Sequence, residues 1–353
     1  MYQSSKGLRP GWFVLGLATA VLLFAAPQTC AAALQQGLVL CSGPLLVSLF
    51  PFLVVSALII RSGAGRTLGR LLWPVVRLLG LNSPSAGGVL LIGLVGGFAP
   101  AATAVSEAVR AGELTPEEAS ALLPACICSG PSFVILTVGE QMLCSRAAGV
   151  CLFTAQVLTG WLTAALLHHI GGRKAQWSVP RQSALPEEPL PTLDGILAQA
   201  AVNYLKLCGF VLYFRLLAAG CGLLLPAALA PFPAMLLEVC SGCDYASRTG
   251  LWASGLCCAA LSIQGASVLL QVRTICPREV SFRSLLWGRV IHLPLSLALF
   301  YLGLPEDAVE TFNTLCARVV PMWRVPPDCA LLVFLVCCMA ACELNKTCLR
   351  AKI

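Results

Sequence analysis

The sequence predicts an all-α polytopic membrane protein, with about eight transmembrane helices and two re-entrant hairpins in an inverted repeat. Hydrophobic residues make up 58% of the chain and charged residues only 11%, whereas a soluble domain carries about 25% charge. Several apolar segments approach or exceed the roughly 18 residues of a membrane span. A short interrupted apolar run, followed by an interrupted helix, occurs once in each half of the chain.

The basic residues explain the net charge of +7 without a nucleic-acid partner. They are spread over the loops, and a cytoplasmic N-terminus and C-terminus give the loop distribution that the positive-inside rule expects. The predicted location is therefore the cell membrane, and the lipid bilayer is the first predicted partner.

Residues 1–37 are predicted to form an N-terminal tail and a first transmembrane helix. The apolar segment 12–34 could also be a cleaved signal peptide, because small residues at 31–33 suit a cleavage site. Residues 38–60 form the second predicted span, which Pro44 and Pro51 should bend.

The first repeat is assigned to residues 38–170. Four arginines among apolar residues in 61–80 predict an amphipathic helix on the cytoplasmic face. Residues 89–98 are too short to cross, since ten residues of helix span roughly 15 Å of a core about 30 Å thick. Gly96, Gly97 and Pro100 turn this run back toward 101–109, which gives a re-entrant hairpin.

A helix broken in its middle follows the first hairpin. Thr115 is the predicted N-cap, Pro116 takes the first helical position and Glu118 completes a capping box. The helix is predicted to run to about residue 143 with a break at 129–132, where Ser-Gly-Pro-Ser interrupts it. Residues 147–168 are the next predicted span.

The second half repeats this order after a proline-rich cytoplasmic linker at 171–194. The second repeat, 195–303, contains a long apolar segment at 196–225 and a run at 226–245 interrupted at 238–242. A helix at 251–272 broken at 264–267 and a span at 285–302 follow. Residues 304–353 are predicted to hold an extracytoplasmic loop, a last span at 329–344 and a basic tail.

The breaks in the two halves correspond by position. Placing Gly130 on Gly265 also aligns Ser132 with Ser267 and Ser129 with Gln264. Paired discontinuities of this kind are the best sequence indication of a transporter-type binding site. The predicted ligand-binding residues are Gly97, Ser129, Gly130, Ser132, Glu238, Ser241, Gln264, Ser267 and Gln271.

Glu238 is the strongest candidate among them, because leucines and a valine flank it. An ionised carboxylate inside a membrane costs on the order of 2.5–3.5 kcal/mol, so it is expected to bind a ligand or a coupling ion, either a proton or sodium. The alternatives are a position at the membrane interface or an ion pair with Arg248. For the serines and glutamines, the alternative is hydrogen bonding between neighbouring helices.

The 19 cysteines do not predict a metal site or another cofactor. Most lie in apolar segments, where cysteine acts as a small hydrophobic residue, and Cys240 and Cys243 form the one CxxC motif, without a second one or a nearby histidine. The sequence contains no HExxH motif, no paired aspartate motif and no usefully spaced Ser/His pair. An enzyme is therefore not predicted, and the question of a homo-oligomer stays open.

Two stretches of the sequence carry a set of residues in a recognisable arrangement: Gly93, Gly96, Gly97, Phe98, Pro100, Leu114, Thr115, Glu118, Ala119, Leu122, Ser129, Pro131, Phe133, Ile135, Glu238, Val239, Gly242 and Gly265. Through these residues the chain resembles, over roughly 38–302, the nucleoside-recognition (Gate) domain proteins, in particular the YlbJ sporulation type. The resemblance implies a fold similar to that of concentrative nucleoside transporters, a nucleoside-like solute and a role in sporulation. A structural or assembly protein of spore formation that transports nothing is the alternative function.

Overall fold

The computed structural model describes residues 10–61, 64–170, 192–226, 229 and 231–303. Every regular element within these ranges is helical. Five helices are long and apolar enough to cross a membrane: Pro27–Leu58, Arg146–Ile170, Leu193–Gly222, Gly250–Ile275 and Arg283–Gly303. The chain therefore fits a helical integral membrane protein. The predicted last span and extracytoplasmic loop, and nearly all of the predicted linker, lie outside the described residues.

The boundary between the first two predicted spans is wrong. Helix α1 covers Pro10–Ala25, and α2, Pro27–Leu40, continues through a π-helical turn at Cys41–Leu45 into α3, Leu46–Arg61. The helix is interrupted at Ala26, whose φ of −139° is not helical, and Pro27 begins the next helix. The polar residues at 35–37, which suggested a boundary, lie inside α2, and Gln36 there accepts a hydrogen bond from Arg215.

The predicted amphipathic helix at 61–80 consists of shorter pieces. Helix α4 is Ala64–Gly69, a 3-10 turn covers Arg70–Leu72 and α5 is Trp73–Leu78. Arg77 is exposed and Val76 is fully buried, but Leu68, Leu71 and Leu78 are exposed as well, so the segment is not divided into one polar and one apolar face.

The central elements of both halves follow the predicted order. The first half contains α6 (Pro84–Gly96), α7 (Phe98–Arg110), α8 (Pro116–Cys126), a π-helix (Ser132–Met142) and α9 (Arg146–Ile170). The second half contains α10 (Leu193–Gly222), α11 (Pro231–Leu237), α12 (Val239–Ala246), α13 (Ala253–Ile263), α14 (Gly265–Ile275) and α15 (Arg283–Gly303). In each half, two short helices that contact each other form a hairpin, and a helix broken in two follows it.

The capping box at the start of α8 is confirmed. The Glu118 backbone N–H donates to Thr115 Oγ1 at 3.2 Å, and the Thr115 N–H donates to a Glu118 carboxylate oxygen at 2.9 Å. The break after α8 is present but covers residues 127–130, two positions before the predicted 129–132, so Ser132 lies in the following π-helix. The π-helix beyond the break was not predicted; it has the wide-turn hydrogen bond from Leu143 N–H to the Val138 carbonyl, at 2.8 Å.

Corresponding elements of the two halves make corresponding contacts, some within a half and some between the halves. Helix α7, the second arm of the first hairpin, contacts α14 of the other half. Its counterpart α12, the second arm of the second hairpin, contacts the π-helix of the first half. Likewise α8 contacts α15 while α13 contacts α9, and α3 contacts α6 while α10 contacts α11. The pairs α3 with α10 and α9 with α15 join corresponding elements. The contacts of the first half are thus repeated among the corresponding elements of the second half.

Candidate functional site

In each half, the hairpin tip touches the helix break. Gly97 at the tip between α6 and α7 has φ +81°, and a Cβ there would come within 2.7 Å of the Gly130 backbone nitrogen in the break after α8. Gly265 at the second break has φ +69°, and a Cβ there would lie 2.8 Å from the Glu238 nitrogen at the other tip. Glycine permits both the positive φ and the close backbone approach.

A small cavity lies between these junctions. It is lined by both hairpin tips, the first helix break, α3, α10 and α14. Its polar lining residues are Ser129, Glu238, Cys240 and Gln271, and the rings of Phe98 and Phe133 also face it. The cavity volume is about 30 Å³, which is enough for one or two water molecules. In this conformation it is too small for a nucleoside.

Five of the nine predicted binding residues line this cavity: Gly97, Ser129, Gly130, Glu238 and Gln271. Four do not: Ser132, Ser241, Gln264 and Ser267. Ser267 is adjacent to it, since its hydroxyl accepts a hydrogen bond from the Gln271 amide at 3.1 Å. All four are buried, with exposed fractions of 2% or less.

Glu238 caps helix α12. Its side chain is 2% exposed, and its two carboxylate oxygens accept the backbone N–H groups of Cys240 at 2.8 Å and Ser241 at 2.6 Å. These bonds satisfy two of the free backbone N–H groups at the start of α12. The alternative ion pair with Arg248 is wrong, because Arg248 pairs with Asp244 at 2.7 Å instead.

Two predicted serines carry hydroxyl groups without a hydrogen-bond partner in the described part of the chain. They are the buried Oγ atoms of Ser129 and Ser241. A buried polar atom of this kind normally has a partner, which here would be a water or a bound solute. For Ser129 the cavity supplies the space for such a partner.

Gln264 connects the two halves instead of facing the cavity. It adopts a left-handed φ of +62° between α13 and α14. Its amide nitrogen donates to the Ile127 carbonyl at 3.2 Å, and its amide oxygen accepts from Arg289 at 2.8 Å. Arg289 is not among the predicted binding residues, although an arginine in an apolar span is itself a signal of function.

A buried ion pair holds the second hairpin against α10. The fully buried Arg215 contacts Asp244 of α12 at 2.5 Å, and the same guanidinium donates to Gln36 of α2 at 2.9 Å. It also lies 5.2 Å from the centre of the Tyr245 ring. Removing one member of a buried pair is costly because the other charge stays buried, so this contact fixes the hairpin.

A second polar cluster joins α9, α13 and α15 behind the cavity. The Gln156 amide donates to Ser262 Oγ at 2.9 Å, and Ser262 shares a hydrogen bond of 2.5 Å with Ser296. The imidazole of His292 lies 3.1 Å from the Gln156 carbonyl. These contacts bridge helices, as polar residues in membrane helices often do. Within the described ranges, no group of three or more His, Cys, Asp or Glu side chains is arranged to hold a metal ion.

A comparison of the chain with protein-family models, with curated proteins and with solved structures finds no match. The resemblance to the Gate domain proteins therefore stays a prediction.

Proposed function

We propose that this chain is a multi-pass membrane protein that binds a nucleoside-like solute in the cavity between the hairpin tips and carries it across the bilayer. The observation that carries the proposal is the convergence of both hairpin tips, a helix break and the buried carboxylate of Glu238 on one cavity. Discontinuous helices that meet near the centre of the protein form the substrate site in many secondary transporters.

The proposed topology has two re-entrant hairpins, an inverted repeat, about eight spans and cytoplasmic termini. The hairpin arms support it: α6 and α7 have 13 residues each, roughly 20 Å of helix, against a hydrocarbon core of about 30 Å. The reciprocal contacts between the halves support the repeat. Sequential cysteine labelling from the two sides would test it, because Arg146 and Arg273 should lie on opposite sides.

The lining of the cavity suits a nucleoside-like molecule. Each Glu238 carboxylate oxygen accepts one backbone N–H group and retains a lone pair for a solute hydroxyl or N–H. The amide of Gln271 and the hydroxyl of Ser129 add further hydrogen-bonding groups, and Phe98 and Phe133 offer apolar surface to a base. Apolar walls with a few convergent polar groups are typical of small-molecule sites.

Binding requires the cavity to enlarge. The Gly97–Gly130 and Glu238–Gly265 junctions close it on two sides, so a hairpin tip must separate from a break before a nucleoside enters. A solute that binds only the enlarged form would shift the population toward it.

The first test is the thermal stability of the purified protein with a panel of nucleosides and nucleobases, in sodium and in choline buffer. A solute at about 100 times its Kd should stabilise the wild type by about 2.7 kcal/mol. Glu238→Gln should lose the shift, since the amide keeps one acceptor for the helix cap but lacks the charge.

Two further variants make this test specific. Gln271→Leu leaves the cap of α12 intact and should also weaken the shift, because the residue lines the cavity. Glu140→Gln removes an exposed carboxylate from the π-helix and should leave the shift unchanged. A properly folded wild type that responds to no solute would count against the binding site.

The small volume of the cavity favours a second function, a structural or assembly protein of spore formation that keeps the fold without transport. In that case no solute would shift the thermal stability of the wild type, and the variants Glu238→Gln and Gln271→Leu would likewise show no shift with any solute. Deleting the gene in a spore-forming host would then lower the yield of spores, and Gln271→Leu would restore it fully.

A further inference from the structure

The first segments of the two broken helices, α8 and α13, both end in the region between the breaks. Helix α8 ends at Cys126 and α13 ends at Ile263, so both present C-terminal ends to the region between the breaks. Such ends carry free carbonyl groups and roughly half a negative charge each. The Ile127 carbonyl and the Gln264 side chain, one from each break, are in direct contact at 3.2 Å.

The guanidinium of Arg289, from helix α15, lies between these ends. Its Nη2 donates to the Ile127 carbonyl at 2.6 Å and to the Gln264 amide oxygen at 2.8 Å, and its Nη1 lies 3.4 Å from the Ser262 carbonyl at the end of α13. Within the described ranges, Arg289 forms no ion pair with a carboxylate. A charge in an apolar span needs compensation, and here helix ends and neutral oxygens provide it.

Unwound carbonyls and half-helix C-terminal ends are the groups that bind coupling cations in transporters with discontinuous helices. We propose that Arg289 is a tethered cation: its guanidinium occupies the position in which the two helix ends would otherwise bind a free monovalent cation. The proposal concerns this position alone, and it holds whether or not a solute binds in the cavity.

Removing the side chain should expose the cation site. In Arg289→Ala the carbonyl oxygens and the Gln264 amide keep their arrangement but lose the charge between them. Guanidinium at concentrations too low to denature, or sodium, should then bind there and recover about half or more of the loss in Tm, in a saturable manner. The wild type should not respond, because its site is filled.

A matched control is Arg273→Ala. Arg273 is exposed and donates to a single carbonyl, that of Val280, at 3.1 Å, so its removal also deletes an arginine–carbonyl bond but no convergence of helix ends. The proposal is overturned when guanidinium and sodium stabilise Arg289→Ala no more than Arg273→Ala.

A second pair of variants decides the question when Arg289→Ala does not fold. Arg289→Lys keeps a cation, whereas Arg289→Gln keeps hydrogen-bonding capacity without charge. A tethered cation requires the lysine variant to have the higher Tm. A glutamine variant that is equally stable or more stable would mean that Arg289 only braces the helices by hydrogen bonds.

Discussion

Single glycines decide how closely the hairpin tips approach the helix breaks. Gly97 and Gly265 combine a positive φ with a neighbouring backbone at the distance where a Cβ would collide. Gly250 has an equally unusual φ of +66°, but nothing lies within 4 Å of the position of its missing Cβ. A comparison of Gly250 with Gly97 and Gly265 therefore distinguishes the cost of a left-handed backbone from the cost of a collision with a neighbouring backbone.

Alanine substitutions should follow this difference. Gly250→Ala should cost about 1–2 kcal/mol, the strain of an L-residue in the left-handed region. Gly97→Ala and Gly265→Ala should cost more, because the 2.7 Å and 2.8 Å contacts add to that strain. Thermal unfolding of the three purified variants measures the order, and equal losses in all three would show that the junctions can relax.

Glu238 and Arg289 show how much of the candidate site could be predicted from the sequence. Glu238 stands out because its immediate neighbours are apolar, but the backbone groups that it caps and the cavity beside it are not evident from that pattern. Arg289 bonds to Ile127 across 162 positions of sequence. Its place in an apolar span marks Arg289 as unusual, but nothing in the local sequence indicates that its partner is Ile127.

At the scale of helices, local chemistry determines most boundaries. The capping box at Thr115 and the interruptions at Gly97 and Gln264 lie at predicted positions, whereas the break after α8 begins at Ile127, two residues before the predicted 129–132. The boundary after α1 was misplaced because the two glutamines at 35 and 36 are polar. In the fold, Gln36 bonds to the buried Arg215, a tertiary contact that overrides the local signal.

The cap of α8 offers a direct test of local stabilisation. Thr115→Ala removes the acceptor for the Glu118 N–H and breaks the reciprocal box, which should cost about 1 kcal/mol, within a range of roughly 0.5–2. Thr192 caps α10 by a single 3.2 Å bond from the Gly195 N–H and is exposed.

Thr192→Ala is therefore the matched comparison and should lower Tm by less than Thr115→Ala. Both variants can be purified in the same detergent and unfolded by heat. A larger loss for Thr192→Ala would mean that the capping box contributes little beyond the tertiary contacts of α8.

The molecule as a whole is held together by contacts that cross between its halves. The order of hairpin, broken helix and span was predictable, because each element has its own apolar length and breaker residues. The pairing of α7 with α14 and of α12 with the π-helix was not, since it depends on the shapes of surfaces that meet only in the folded state. The cavity is equally a product of this pairing, because its lining comes from both halves.

Because contacts join the two halves, we expect neither half to be stable when the chain is expressed as two separate pieces. Residues 1–180 and 181–353, separated within the predicted linker, should each yield little detergent-soluble protein, because α7, α12 and the π-helix lose partners. Co-expression of both pieces should restore a complex that purifies through a tag on one of them.

Thr192→Ala is not expected to prevent this reassembly, because the Thr192 cap is exposed and both of its members belong to the second piece. It serves as a control for general destabilisation. A first piece that is stable and monodisperse by itself would contradict the importance of the crossing contacts.

The carbonyl of Ile127 has a consequence for biosynthesis. It accepts hydrogen bonds from Gln264 and Arg289, and the ribosome adds these residues more than a hundred positions later. At about 5–20 residues per second, the wait is on the order of ten seconds. During that time the Ile127 carbonyl of the broken helix lacks these two hydrogen bonds. We therefore expect the insertion machinery to keep this segment out of contact with lipid until the C-terminal half has been synthesised.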